Sequence, residues 1–102
     1  MTNERTHKEY LSELLQDPEE AEAFLSVAFD DFLSTDDTES FLHALHTLAL
    51  AKGGVSKLAK RTGLNRQNLH RIFSNKNKTV PKLDTIAKVL NGLDLKLAIE
   101  TI

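Results

Sequence analysis

Hydrophobic residues recur at intervals of three and four through the first half of the chain, the spacing that places them on one face of a helix. This pattern predicts three helices, over about residues 6–16, 17–33 and 36–52. The second is expected to begin at Asp17 and the third at Asp36, because aspartate is a favoured N-cap residue. The first half of the chain is therefore predicted to be helical.

The predicted elements become shorter in the second half. Ser56 is expected to cap a short helix that ends at Gly63, and Asn65 is expected to cap another helix directly after it. Pro81 is expected to start a last helix, because proline suits the first helical turn. The inward positions of that helix are predicted to be Leu83, Ile86, Ala87, Val89 and Leu90.

The last ten residues change period. Leu93, Leu95, Leu97 and Ile99 alternate with other residues, a pattern that predicts a short C-terminal β-strand. The predicted fold class is thus all-α with one added strand. Because an unpaired strand edge invites association, we expect this strand to pair with a second copy in a homodimer. Pairing with a different protein, or with an N-terminal segment of the same chain, is the alternative.

The composition restricts the class of protein. A chain of 102 residues has the size of one domain, and the lack of cysteine excludes disulfides, thiolate catalysis and cysteine-ligated metals. No apolar run approaches the roughly 20 residues of a membrane span, and MTNERTHKEY lacks the apolar core of a signal peptide. We therefore expect a cytoplasmic protein with no membrane partner.

Charge is distributed unevenly along the chain. Residues 1–50 carry two basic and twelve acidic side chains, a net charge of −10, whereas residues 51–102 carry eleven basic and three acidic ones, a net charge of +8. This segregation favours two surfaces with different partners. Two ordinary solvated faces without partners would give the same charge counts. The sequence motifs are needed to distinguish this interpretation from two binding surfaces.

Residues 58–73 read LAKRTGLNRQNLHRIF, a pattern that predicts a helix-turn-helix motif. The second helix is expected to bury its leucine, isoleucine and phenylalanine and to present polar side chains outward. Arginine can form paired hydrogen bonds to guanine, and glutamine or asparagine can do so to adenine. The predicted base-reading residues are Arg66, Gln67, Asn68 and Arg71.

Basic and small polar residues around this motif are candidates for contacts with the DNA backbone. Phosphate contacts of this kind supply affinity without sequence preference. The predicted backbone contacts are Ser56, Lys57, Lys60, Asn75, Lys76 and Lys78, and Arg61, Asn77 and Lys82 lie nearby in the sequence. A helix pair with ordinary surface lysines that binds no DNA is the alternative interpretation.

The segment GGVSKLAKRTGLNRQNLHRIFSNKNKTVPKLDTIAKVLNGLDLKLAIE resembles addiction-module antidote proteins, antitoxins of the HigA-like class within the phage-repressor-like superfamily. The upstream segments EYLSELLQDPEEAEAFLSVAFDD and TESFLHALHTLALAKGG resemble that family's leader and first repressor helix. The resemblance implies a repressor-like bundle that represses its own operon and neutralises a RelE/ParE-like toxin by direct binding. It assigns base reading to Arg66, Gln67 and Arg71.

The chain departs from the repressor pattern at two positions. Val55 stands where such domains often have a glutamine that contacts a phosphate, and Asn65 replaces the more usual serine or threonine cap. Asparagine caps equally well. The first departure weakens the expectation of a phosphate contact at that position but leaves the predicted fold unchanged.

The resemblance and the charge pattern together predict three regions. Residues 1–37 form an acidic helical extension, 38–92 the DNA-binding domain, and 93–102 a dimerisation segment. A toxin that cleaves nucleic acid is expected to have a basic surface, which the acidic side chains of residues 1–37 would complement. We therefore expect the toxin contacts to lie mostly within residues 1–37. A stand-alone regulator without a toxin, or a module that binds only proteins, is the alternative function.

No catalytic constellation is recognisable, so the sequence does not predict an enzyme or a cofactor. His43 and His46 are three residues apart on a predicted helix, but no third ligand stands at a suitable spacing for zinc. We therefore expect no metal site, and interpret these histidines as surface or boundary residues.

Overall fold

The computed structural model describes residues 6–75 and 79–102. This part of the chain contains six helices and no strand: α1 (His7–Leu14), α2 (Pro18–Thr35), α3 (Thr38–Ala51), α4 (Val55–Thr62), α5 (Arg66–Ser74) and α6 (Leu83–Gly92). The all-α class is confirmed, and the predicted helices are all present. Across the described ranges, no helix has both the length and the apolar character needed to cross a membrane.

The helix starts in the first half follow from side-chain caps. Asp17 accepts a hydrogen bond from the backbone N–H of Glu19 at 2.9 Å, as the sequence predicts. The prediction that Asp36 caps α3 is wrong. Asp36 ends α2 with a left-handed φ of 59°, and Asp37 caps α3 by accepting from the backbone N–H of Ser40 at 3.1 Å. Hydrogen bonds from the Ser40 side chain and backbone lower the pKa of the Asp37 carboxyl.

Helix α3 lies at the centre of the bundle and contacts α1, α2, α4 and α5. Its residues Leu42, Leu45 and Leu48 are fully buried. One hydrophobic core includes these leucines together with Leu25 of α2 and Leu69 of α5. The acidic first third of the chain is therefore packed into the same core as the predicted DNA-binding helices.

Helix α6 packs against α4 at a glycine. Gly92 is buried, and an added Cβ there would lie 2.6 Å from Thr62 Cγ2 and 2.7 Å from Leu58 Cδ1. The absence of a side chain at this position therefore permits the close approach of the two helices. The expected inward positions Leu83 and Ala87 are wrong, since both are exposed, and the helix begins at Leu83 rather than at Pro81.

The predicted C-terminal strand is wrong. Helix α6 ends in a Schellman turn, in which the Leu95 N–H donates to the Leu90 carbonyl at 2.8 Å and the Asp94 N–H donates to the Asn91 carbonyl at 3.0 Å. Asp94 takes the left-handed conformation of this turn, with φ of 65°. The alternating leucines thus begin inside a helix-terminating turn, and the described residues contain no strand with which they could pair.

Residues 93–102 are here called the tail. Its four alternating apolar residues differ in burial. Leu93 is buried and Leu95 is half-buried against the core, whereas Leu97 is 40% exposed and Ile99 is fully exposed. The burial of Leu93 and Leu95 within their own chain leaves Leu97 and Ile99 as the accessible members of the set. Dimerisation through these residues stays a prediction.

Candidate nucleic-acid interface

The α4–α5 segment consists of two short helices joined by residues 63–65. Gly63 ends α4 as predicted. It has a left-handed φ of 76°, and its N–H donates to the Ala59 carbonyl at 2.9 Å. Glycine suits this position because a side chain is unfavourable at positive φ. The turn therefore forms with little backbone strain, and α5 begins directly after it.

The first turn of α5 is held by the cap that the sequence predicts. The side-chain oxygen of Asn65 accepts from the backbone N–H of Gln67 at 2.7 Å and from that of Asn68 at 3.2 Å. These bonds satisfy two amides that the helix itself leaves unpaired. Asn65 therefore orders the backbone that carries the predicted base-reading residues.

The two faces of α5 are sharply different. Leu69 and Phe73 are buried in the core and Ile72 is half-buried against it, which fixes the rotation of the helix. The predicted base-reading residues all lie on the exposed side: Arg66, Gln67, Asn68 and Arg71. Their side chains make no hydrogen bond or ion pair with the described part of the chain. Gln67 and Arg71 are four residues apart and so share one face.

Three of the predicted backbone contacts, Ser56, Lys57 and Lys60, lie exposed on α4. Ser56 is not the helix cap, because α4 begins one residue earlier and its N-cap is Gly54. Val55 is buried, so its side chain contributes to the core and faces away from solvent.

Asn75 has a different environment from the other predicted backbone contacts. It is buried, has a left-handed φ of 48°, and ends α5 by donating its backbone N–H to the Arg71 carbonyl at 3.0 Å. Its position is explained by helix termination, since asparagine tolerates left-handed backbone better than most residues. Lys76 and Lys78 lie outside the described residues, as does Asn77.

An ion pair that the sequence did not predict joins α4 to the tail. Arg61 Nη2 lies 3.3 Å from Asp94 Oδ1 and 3.4 Å from Asp94 Oδ2. The pair is exposed, so it contributes little stability. It does place a guanidinium beside the carboxylate at the point where the tail leaves α6. No sequence signal links two residues that are this far apart in the chain.

A histidine contact joins α3 to α5. The His46 ring stacks on Phe73, with centroids 4.8 Å apart and planes 7° from parallel. Partial burial lowers the pKa of His46, and the positive charges of His43, His70 and Lys8 lower it further. The described ranges contain no group of three or more histidine and acidic side chains arranged to hold a metal ion.

The described residues form an all-helical protein in which a capped helix presents arginine and amide side chains to solvent. The chain belongs to the family of probable addiction module antidote proteins, whose model matches residues 5–101, nearly the whole sequence. This membership supports an antitoxin role. None of the curated proteins or solved structures compared with the chain is significantly similar to it.

Proposed function

We propose that this antidote-family protein is also a sequence-specific DNA-binding repressor of its own toxin–antitoxin operon, and that it acts in the cytoplasm as a homodimer. The observation that carries this proposal is the outer face of α5, where Arg66, Gln67 and Arg71 are exposed on a helix whose inner face is fixed in the core. Side chains of these types form paired hydrogen bonds to base edges.

The α4–α5 pair is compatible with insertion of α5 into the major groove. In helix-turn-helix proteins, the N-terminal residues of the second helix contact base edges while the first helix crosses the backbone. Arg66 and Gln67 occupy the first turn of α5, and Lys57 and Lys60 lie on α4. We therefore assign base reading to the first pair and phosphate contacts to the second.

A dimer would explain specificity for a longer site. Two copies of α5 about 34 Å apart would contact successive turns of the same DNA face, and the operator would be nearly palindromic. Leu97 and Ile99 remain the exposed candidates for the dimer contact. Sedimentation analysis tests the proposed dimer by comparing the wild type with a variant that carries aspartate at both positions. We expect the wild type to sediment as a dimer and the variant as a monomer.

The partner toxin is proposed to be a RelE/ParE-like protein that is neutralised by direct binding. A toxin that cleaves RNA needs a basic surface to hold phosphates. The exposed carboxylates of α2 are complementary to such a surface: Glu19, Glu20, Glu22, Asp30 and Asp31. Electrostatic complementarity of this kind mainly accelerates and orients association.

The DNA-binding proposal is tested by fluorescence anisotropy. The full chain is titrated against the duplex upstream of its own gene and against a scrambled duplex of equal length, at two salt concentrations. We expect a preference for the upstream duplex that persists at the higher salt. Equal binding to both duplexes that disappears with salt would mean a generic basic surface, and the repressor assignment would fail.

A further inference from the structure

We propose that the groove between α2 and the C-terminal tail, here called the tail groove, receives a basic segment of the toxin that also carries an apolar side chain. This inference rests on the toxin neutralisation proposed above and names the surface that performs it. The groove has a volume of about 500 Å³. Glu22, Phe29 and Asp30 line it from α2, and Leu95, Leu97 and Glu100 line it from the tail.

The Schellman turn at the end of α6 produces this groove. Leu95 packs half-buried against the core directly after the turn, and residues 96–98 and 100 share the lining of the groove with residues of α2. The Arg61–Asp94 ion pair lies at the same point of the chain. The tail therefore forms a second wall opposite α2, with Leu97 lining the groove between them.

The floor of the groove is apolar. Leu25 and Phe41 are buried there, and Phe29 is half-buried beside them with its ring centroid 5.4 Å from that of Phe41. Leu97, which lines the groove from the tail, is 40% exposed. Burial of this surface by an apolar side chain of a partner would be favourable.

The charged groups that line the groove are mostly acidic. Glu22, Asp30 and Glu100 are exposed carboxylates, and Lys96 is the one lysine or arginine among the lining residues that the structure describes. Asp94 also lines the groove, but Arg61 already balances its charge. The groove therefore favours an occupant with lysine or arginine beside its apolar group, and it disfavours nucleic acid.

The charge of the chain itself argues against the tail of a second copy as the occupant. Residues 93–102 carry two acidic side chains and one basic side chain, so this segment does not complement an acidic groove. A toxin surface built to hold RNA phosphates supplies the required lysine and arginine residues. The toxin is thus the occupant that the charges favour.

The test uses the full-length chain and, as the probe, the purified protein encoded by the gene adjacent to its own. The groove variant combines Glu22→Lys with Asp30→Lys. The control variant combines Glu39→Lys with Asp84→Lys, which makes the same charge change on exposed positions of α3 and α6, outside both the groove lining and the carboxylates of α2. Biolayer interferometry measures the affinity for the probe, and operator affinity is measured in parallel to verify folding.

We expect the groove variant to lose at least about tenfold in affinity for the probe and the control variant to lose less than about threefold, because charges in direct contact outweigh distant ones. A second groove variant, Glu100→Lys, should lose affinity without reversing any charge on α2. Glu100 lines the groove from the tail and is exposed, so its replacement leaves the core intact.

Three other results would overturn the groove assignment, the toxin neutralisation or both. No binding of the probe to the wild type would overturn the proposed toxin neutralisation and the groove assignment with it. Wild-type binding that both charge variants reduce equally would leave neutralisation standing and overturn the groove. A groove variant that changes the sedimentation of the chain but binds the probe normally would mean that a second copy covers the groove.

Discussion

Helices α5 and α2 present surfaces of opposite character. On α5 the apolar side chains are buried in the core and the outer face is polar and basic. On α2 the exposed face combines carboxylates with accessible apolar groups, of which Val27 and Leu33 are more than half exposed. Hydrogen bonds can read a hydrated polyanion such as DNA, whereas an apolar surface with charged neighbours is suited to a protein partner. This contrast is the basis for proposing DNA as the partner of α5 and a protein as the partner of α2.

The strongest test of this comparison concerns burial. Leu69→Ala on α5 should lower the free energy of unfolding by about 2–5 kcal/mol, because it removes a fully buried side chain and leaves a cavity. Val27→Ala on α2 removes an exposed apolar side chain and should change it by less than about 0.5 kcal/mol. Urea denaturation measures both. If the two variants lose similar amounts of free energy of unfolding, Val27 must be buried like Leu69, and the contrast between the two helices would be wrong.

The second test separates base reading from phosphate binding. Arg66→Ala should weaken operator binding by about 1–3 kcal/mol and relax the base preference, since its side chain is assigned to a base edge. Lys60→Ala should weaken binding to operator and scrambled duplexes alike and reduce the salt dependence. Anisotropy titrations of both variants against both duplexes provide the measurement. A loss confined to the operator in Lys60→Ala would contradict this division of roles.

The third test concerns the start of α5. Asn65→Ala should lower the free energy of unfolding by about 1 kcal/mol, because the amides of Gln67 and Asn68 lose their acceptor. Asn65→Ser keeps a capping oxygen and should remain close to the wild type. Thermal and urea denaturation measure stability, and operator affinity should decrease in the alanine variant alone. Equal stability of the two variants would show that the cap has no role.

The smallest expected effect is a pH dependence at the contact between α3 and α5. Burial and neighbouring positive charges hold the pKa of His46 below its ordinary value of 6.5, so the unfolded chain binds this proton more readily than the folded one. The contribution of neutral His46 to stability is fully present above pH 6.5 and is lost as the pH falls below it. The groups that act on His46 are His43 on α3, His70 on α5 and Lys8 on α1.

The variant His46→Phe retains a ring to stack on Phe73 and removes the titrating group. Its free energy of unfolding should therefore fall less steeply than that of the wild type between pH 7 and 5. Urea denaturation at several pH values in this range provides the measurement. If the free energy of unfolding of the variant falls with pH as steeply as that of the wild type, the pH dependence arises from groups other than His46.

Most of the fold was predictable because its signals are local. Asp17 and Asn65 cap the helices that the sequence assigns to them, and Gly63 ends α4 as expected. The exposed position of Arg66 and Gln67 also follows from the helical period once Leu69 is placed inside. Local signals were reliable at these positions, whereas Leu83 and Ala87, which the same helical period places inside, are exposed.

The features that could not be predicted depend on contacts distant in sequence or on a choice between adjacent residues. Asp36 and Asp37 are equally good caps by residue type, and only the left-handed end of α2 decides between them. The tail has the period of a strand, but Asp94 adopts positive φ and Leu95 packs against the core. The tail groove depends on this turn, so no pattern within the tail sequence could indicate it.

The single core that joins α2, α3 and α5 has a consequence for the lifetime of the protein. A domain of this size with one core is expected to unfold as a unit, so a ligand bound to either surface stabilises the whole chain. A partner at 100 times its Kd adds about 2.7 kcal/mol to the free energy of unfolding. Proteases that act on the unfolded chain would thus be slowed by occupancy of either surface, and the rate of degradation would report the bound fraction of the protein.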